Sequence, residues 1–283
     1  MQMFDQGFCA ISEVGGANQL LPFMMNRFGS TIDVAVDYSS TIDVSVMGLH
    51  SINTKQAIEN IELKVYKDIY LAPSHQSLRT QTIPFLAAAA NTNTRTIALI
   101  DSWVNYRTRF EKILPNQILV TDEFALNHAK STFKDSVELN LIKNYYLENL
   151  RYDVSDFPEN VTLLFTTRKN NYTEDTLEIH GSGCICGSFK QIKKLWPDTR
   201  IVLRPHPQEP INDCLRVVNY SKCDYGTTIS TNENLSQILS KSIRVIGPPS
   251  YLLYIAQQLG REVFQVGNVN RNWYGPVFKV MPA

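Results

Sequence analysis

An arginine and a histidine stand in a stiff frame in TRIVLRPHPQEP, residues 199–210. The apolar run Ile201-Val202-Leu203 reads as a strand, Arg204 ends it, and His206 is held between Pro205 and Pro207. Proline fixes its own φ and pushes the preceding residue toward extended geometry, so the pair belongs to a rigid, non-helical loop past a strand end. A cation and a histidine in that position suit a phosphate. Further on, VIGPPSYLLYIAQQLG sets Ser250 where a helix N-cap belongs, with Tyr251 after it and Gly260 closing the helix. A helix N-terminus can share its amides with an anion, so Ser250 marks a second phosphate-binding position. Arg168 and Lys169, following the strand-like NVTLLF, add further positive charge.

The first half of the chain offers acids instead. SEVGGANQL, residues 12–20, places Glu13, Gly15, Gly16 and Asn18 between a strand and a helix. Glycines there admit close backbone approach, and a carboxylate can serve as general base for an incoming hydroxyl. The spacing is not G-x-G-x-x-G, so a nicotinamide cofactor is not implied. LIDSWVNYRTRF, residues 99–110, crowds Asp101, Trp103, Asn105 and Arg109 after another strand. Arginine and asparagine donate to carboxylates, phosphates or sugar hydroxyls, while tryptophan presents a face to a sugar ring. Ser74 and His75 follow a strand in LAPSHQSLRT as a weaker version of the same pattern, and His50, His128 and His180 fall in no partner pattern.

These residues need strand ends to carry them, and the sequence supplies strands alternating with helices throughout. GFCAISEV, IDVAVDYS, TIDVSVMG, DIYLAPS, TIALIDSW and QILVTDEF predict strands in the first half. GGANQLLPFMMNRFG, HQSLRTQTIPFLAAAANT and DEFALNHAKSTF predict its helices. The pattern restarts with NVTLLFTTR, TRIVLRPHP, IRVIGPPS and EVFQVG as strands, and with GSFKQIKKLW, ENLSQILSKS and YLLYIAQQLG as helices. RYDVSDFPEN, residues 151–160, is polar, carries a proline and reads as a linker. The expected architecture is α/β, two Rossmann-like domains facing each other across a cleft, spanning 1–150 and 151–283.

Composition narrows the function classes. The 283 residues are 43% hydrophobic and 19% charged with zero formal net charge, which is globular and gives no global field for nucleic acid. A balanced total can still hide a local basic patch, so peripheral membrane association stays open. No apolar run approaches the roughly 20 residues that span a bilayer, and the N-terminus lacks the pattern of a secretion signal. The five scattered cysteines fit reduced thiols in a cytoplasm, and Cys184-Ile-Cys186 has no second pair at a zinc-finger spacing.

Twin Rossmann-like halves, a strand-end RPHP, and about 40 residues later strand–Ser250–helix–Gly260–strand resemble a GT-B-fold glycosyltransferase of bacterial surface polysaccharide synthesis. The nearest groups are the sialyltransferases and Kdo transferases with an H-P motif. The resemblance implies that His206 contacts the donor phosphate and assists the leaving group, with Pro207 completing the motif. It also implies that Ser250 belongs to the phosphate loop, with Arg168, Arg204 and Tyr251 on the donor side. Glu13 takes the place of the acidic general base, although the Asp/Glu-Asp-Gly motif of the sialyltransferases is absent. Tyr254 and Gln257 stand where many such enzymes carry Glu-Ala for the donor ribose, which weighs against a UDP-hexose and leaves a CMP-sugar or an unusual donor open within an expected CMP- or UDP-linked class. The expected reaction is metal-independent transfer, without a cofactor, from a nucleotide-sugar to a glycan or lipid-linked glycan in the cytoplasm. The first domain, with Gly15, Gly16, Asn18, Asp101, Trp103, Asn105 and Arg109, would face the acceptor. The same fold also serves nucleotide-sugar 2-epimerases and hydrolases, and a non-catalytic subunit of an assembly complex is a third reading.

Overall fold

In a computed structural model of the chain, the described residues are 6–36, 43–74, 82–110, 113–154, 158–165, 182–205, 227–230, 233–266 and 273–281, with backbone alone for 182–187. They belong to two compact units, Met1–Tyr146 with Asn272–Gly275, and Leu147–Arg271 with Pro276–Ala283.

The first unit holds a parallel sheet of β1 (Gly7–Ile11), β2 (Ile32–Val36), β3 (His50–Ser51), β4 (Asp68–Ala72), β5 (Arg95–Leu99), β6 (Gln117–Val120) and β7 (Glu138–Leu141). Their order is β3-β2-β1-β4-β5-β6-β7. Helices α1 (Val14–Phe28), α2 (Thr54–Glu62), α3 (Thr82–Thr92) and α4 (Glu123–Phe133) connect them, and α5 (Tyr145–Asp153) leads out. Parallel strands are covered on both faces, so they read as continuous apolar runs, as GFCAI and QILV do. Asp33 interrupts β2, and its buried carboxylate is satisfied by Gln6 Nε2 at 2.8 Å, Tyr66 Oη at 2.6 Å and His50 Nδ1 at 2.6 Å. The chain runs from β1 outward to β3, then returns to lay β4 on the other side of β1. Such a reversal opens a crevice at the carboxyl ends of the two central strands.

The second unit repeats the plan with β8 (Glu159–Phe165), β9 (Arg200–Arg204), β10 (Thr228–Ile229), β11 (Ser242–Gly247) and β12 (Glu262–Gln265), all parallel and ordered β10-β9-β8-β11-β12. Among the described residues its helices are α6 (Ser182–Leu195), α7 (Leu235–Lys241) and α8 (Tyr251–Gln258). Leu164, Phe189, Ile192, Ile201, Leu203, Ile246, Phe264 and Met281 form its core. The reversal here lies between β8 and β11. Gly260, at φ 75°, ends α8 in the left-handed region, and Arg261 N–H returns to Ala256 O at 2.9 Å.

Two expectations are corrected. Residues 44–47, read as part of a strand, form a 3-10 turn, because the Asp43 carboxylate accepts from Ser45 N–H at 3.0 Å and Gly48, at φ 70°, closes the turn. The segment read as a linker is helical to Asp153, and β8 begins at Glu159.

Candidate functional site

Glu13 stands two residues past β1 and is the N-cap residue of α1, but its side chain makes no cap hydrogen bond. Its Oε1 accepts instead from Ser74 Oγ. Ser74 stands two residues past β4 and is fully buried. The pair therefore joins the ends of the two strands that flank the first reversal. Gly15 and Gly16 open α1 for steric reasons. A β-carbon on Gly15 would collide with Asp101 Oδ2, and one on Gly16 would lie 2.7 Å from Ala72 Cβ. Asp101 thus lays its carboxylate against the first turn of α1, where the helix dipole favours negative charge.

Arg109 braces this arrangement from within. Its Nη1 reaches Asp101 Oδ1 at 3.0 Å and Pro73 O at 2.8 Å, Nη2 donates to Ser102 Oγ at 2.5 Å, and Nε to Val104 O at 3.4 Å. The side chain is only 1% exposed, so its charge serves the fold. Trp103 is likewise buried, and its Nε1 donates to Asp122 Oδ1 at 2.8 Å. Asp122 also caps α4 through Ala125 N–H at 2.8 Å. Burial pushes the Asp122 carboxyl up, against the lowering effect of those two hydrogen bonds. Asn18 is half-buried on α1, and Asn105 is exposed in the left-handed region at φ 60°. Glu13, Gly15, Asp101 and Arg109 thus form one cluster, framed by Trp103.

In the second unit Arg204 ends β9, and its Nη1 donates to Glu233 O at 2.8 Å. Glu233 in turn accepts from Lys241 Nζ at 2.6 Å and Ser230 Oγ at 2.8 Å, which hold its carboxyl below the usual range. Ser250 is the N-cap of α8, accepting from Leu253 N–H at a long 3.5 Å. The first turn of α8 contains no acidic residue. Tyr251 is half-buried beside Tyr254, with ring centroids 5.6 Å apart. Arg204 pairs in register with Phe165 at the end of β8, and the Phe165 ring fills the space that a side chain on Gly247 would need. His206 and Arg168 lie outside the described residues.

Sequence reasoning gave Ser74 little weight, counted Ser102 only among the polar residues crowded after β5, and passed over Asp122 and Phe165. Each is a polar or aromatic residue at a strand end or helix cap, but only the strand order makes them neighbours of the site.

No family model matches the sequence, and no curated protein does. Solved structures do match in fold. The UDP-GlcNAc 2-epimerase from Neisseria meningitidis bound to UDP-GlcNAc superposes with a TM-score of 0.63 at 12% identity, over 92% of this chain and 82% of that one. The S. aureus MnaA–UDP structure gives 0.62 at 12% identity, over 92% and 79%. A glycosyltransferase from Rickettsia africae gives 0.56 at 12% identity, over 92% and 79%. The fold is the GT-B-like one, with two Rossmann-like α/β domains.

Proposed function

We propose that the chain is a nucleotide-sugar-dependent, metal-independent glycosyltransferase. It would move a sugar from a CMP- or UDP-linked donor to a glycan or lipid-linked glycan in capsule, lipopolysaccharide or related polysaccharide synthesis. The observation that carries this reading is the contrast between the two helix N-termini. The α1 terminus is taken by the Asp101 carboxylate with Glu13 beside it, whereas the α8 terminus carries a serine cap and no acid in its first turn. An anionic donor is repelled by the first and attracted by the second.

In this scheme the second domain binds the donor phosphate with the α8 amides, Ser250, Tyr251 and Arg204, joined by Arg168 and His206. The first domain serves the acceptor through Glu13, Asp101, Asn18 and Asn105, with Gly15 and Gly16 allowing close approach and Trp103 and Arg109 supporting them. Glu13 takes the proton of the acceptor hydroxyl, whose oxygen bonds to the anomeric carbon. The bond from that carbon to the phosphate oxygen breaks, and the nucleotide leaves with the electron pair. Amide dipoles and cations stabilise the charge that develops there, a contribution worth about 3–4 kcal/mol per well-placed donor. The reaction would run in the cytoplasm, at the inner face of the membrane for a lipid-linked acceptor.

The fold likeness to the UDP-GlcNAc 2-epimerase from Neisseria meningitidis favours a second reading, a nucleotide-sugar 2-epimerase or hydrolase. A melting-temperature panel with CMP, CDP, UDP, GDP and ADP, on wild type and His206→Ala, tests the shared premise. A ligand that binds only the folded state raises the melting temperature by mass action. One nucleotide should stabilise the wild type and lose that effect in the variant. Product analysis of the matching nucleotide-sugar then separates transfer, epimerisation and release of free nucleotide. Failure of every nucleotide at millimolar concentration would refute both readings in favour of a non-catalytic subunit.

A further inference from the structure

After the last strand of the second sheet, the chain returns to the first unit with Trp273, Tyr274 and Gly275. Each of the three residues meets the loop 101–110 or the helix behind it. The Trp273 ring stands edge-on to Trp103, with centroids 5.2 Å apart. Tyr274 stacks on His128 of α4 at 3.6 Å and 13°, and the His128 ring in turn meets Tyr106 of the loop at 4.3 Å. Gly275 lies so close to Trp103 that a β-carbon would collide with the indole. Its φ lies outside the left-handed region, so glycine is required there for space.

The loop covered in this way is the one that carries Asp101 and Arg109. Trp103, two residues past Asp101, is held on one edge by Asp122 and covered by this returning segment. Such a loop has few strand hydrogen bonds of its own, and its order depends on side-chain packing. We propose that Trp273 and Gly275 are positioning residues for the first unit's site: packed on Trp103, they fix the loop 101–110 and hold the Asp101 carboxylate over the first turn of α1. The proposal rests on the reading of Glu13 and Asp101 as the acceptor side of a nucleotide-sugar enzyme.

Hydrogen exchange on the full chain tests it, comparing wild type, Trp273→Ala and Gly275→Val, with Val277→Ala as a nearby exposed control. Amides of 101–110 should exchange about tenfold faster in both strap variants, while those of 159–165 and the control variant match wild type. Unchanged loop exchange in Trp273→Ala overturns the proposal, and that variant alone decides if Gly275→Val does not fold. The second readout is turnover of whichever nucleotide-sugar the wild type uses. Trp273→Ala should lower kcat about tenfold with KM for the donor within about twofold. A loosened loop with full kcat would also overturn the positioning role. If the wild type binds no nucleotide, the functional reading fails, and the exchange result still decides whether the segment orders the loop.

Discussion

Replacing Arg109 by methionine removes a guanidinium that is 1% exposed while keeping most of its apolar volume. It leaves Asp101, whose side chain is 14% exposed, without the Arg109 cation, and removes the donor that Arg109 supplies to Pro73 O and Ser102 Oγ. Breaking a buried pair by removing one partner costs about 3–5 kcal/mol. Water can reach Asp101 in part, which sets the expectation at the lower end, about 3 kcal/mol. For a unit of this size that lowers the melting temperature by about 6–12 °C. Urea unfolding followed by tryptophan fluorescence measures the loss in a Trp196→Phe background, because Trp103 and Trp273 then report on the first unit alone. Arg109→Lys keeps the charge but not the fork that reaches Asp101, Pro73 and Ser102 together, so it should fall about midway. Adding Asp101→Asn to Arg109→Met should recover about 1–3 kcal/mol relative to additivity, since the uncompensated charge is gone. A loss under about 0.5 kcal/mol for Arg109→Met would refute the brace, as that is the scale of an ordinary surface substitution.

Burial lowers the His128 pKa to about 4, beneath its unfolded value near 6.5. The unfolded chain therefore binds the proton first as pH falls, and stability present above about pH 6.5 is lost progressively toward about pH 4. His128→Gln should flatten that slope in urea titrations, and an unchanged slope would remove His128 from the explanation. Gly247→Ala forces the Phe165 ring to shift and should cost about 1–3 kcal/mol. Adding Phe165→Leu should relieve part of that cost, and strictly additive losses would count against a direct clash. Ser250→Asp keeps an N-cap acceptor and adds charge favourable to the helix, so stability should hold or rise by about 0.3–1 kcal/mol. The melting shift given by a nucleotide should disappear in the same variant, and its survival would place the phosphate elsewhere.

The sequence is most legible where structure is set locally. β1, β2, β4, β6, β9 and β12 each fall within a run expected to be a strand, and β5, β8 and β11 each begin one residue before theirs, because a parallel strand buried on both faces leaves an apolar signature. Ser250 and Gly260 bound α8 as expected because caps act over one turn. β7 and α2 were not evident: ELNL is half exposed at the sheet edge, and only Ala57 and Ile61 of α2 are buried. The 3-10 turn at 44–47 imitates a strand in its apolar alternation, and its deciding features are one aspartate and one glycine. Glu13 and Ser74 were each legible as residues at a strand end, but their pairing was not, since strand order decides which ends are neighbours. The packing of Trp273 and Gly275 on Trp103 joins positions about 170 residues apart, and nothing local in NWYGPVF specifies it.

The two reversals share a topology yet differ in chemistry, and the difference lies in the few residues after each central strand. After β1, Ser-Glu-Val-Gly-Gly admits a carboxylate from a third strand end onto the helix, because glycine leaves the room. That carboxylate satisfies the α1 dipole internally, and Arg109 beneath it compensates the charge without offering itself to a ligand. After β11, Pro-Pro-Ser-Tyr brings no acid to the helix start, and proline contributes no N–H of its own. At the start of α8 the serine cap makes a long hydrogen bond, 3.5 Å from Leu253 N–H. One helix end is neutralised by the fold, and the other has its positive potential opposed by no first-turn acid. On the proposed reading an anion gains more at the second, and the hydroxyl that must lose a proton is served at the first, beside Glu13. The proposed division between the halves of one repeated fold thus needs no change of topology. It needs glycines where a carboxylate must approach, and prolines with a serine where it must not.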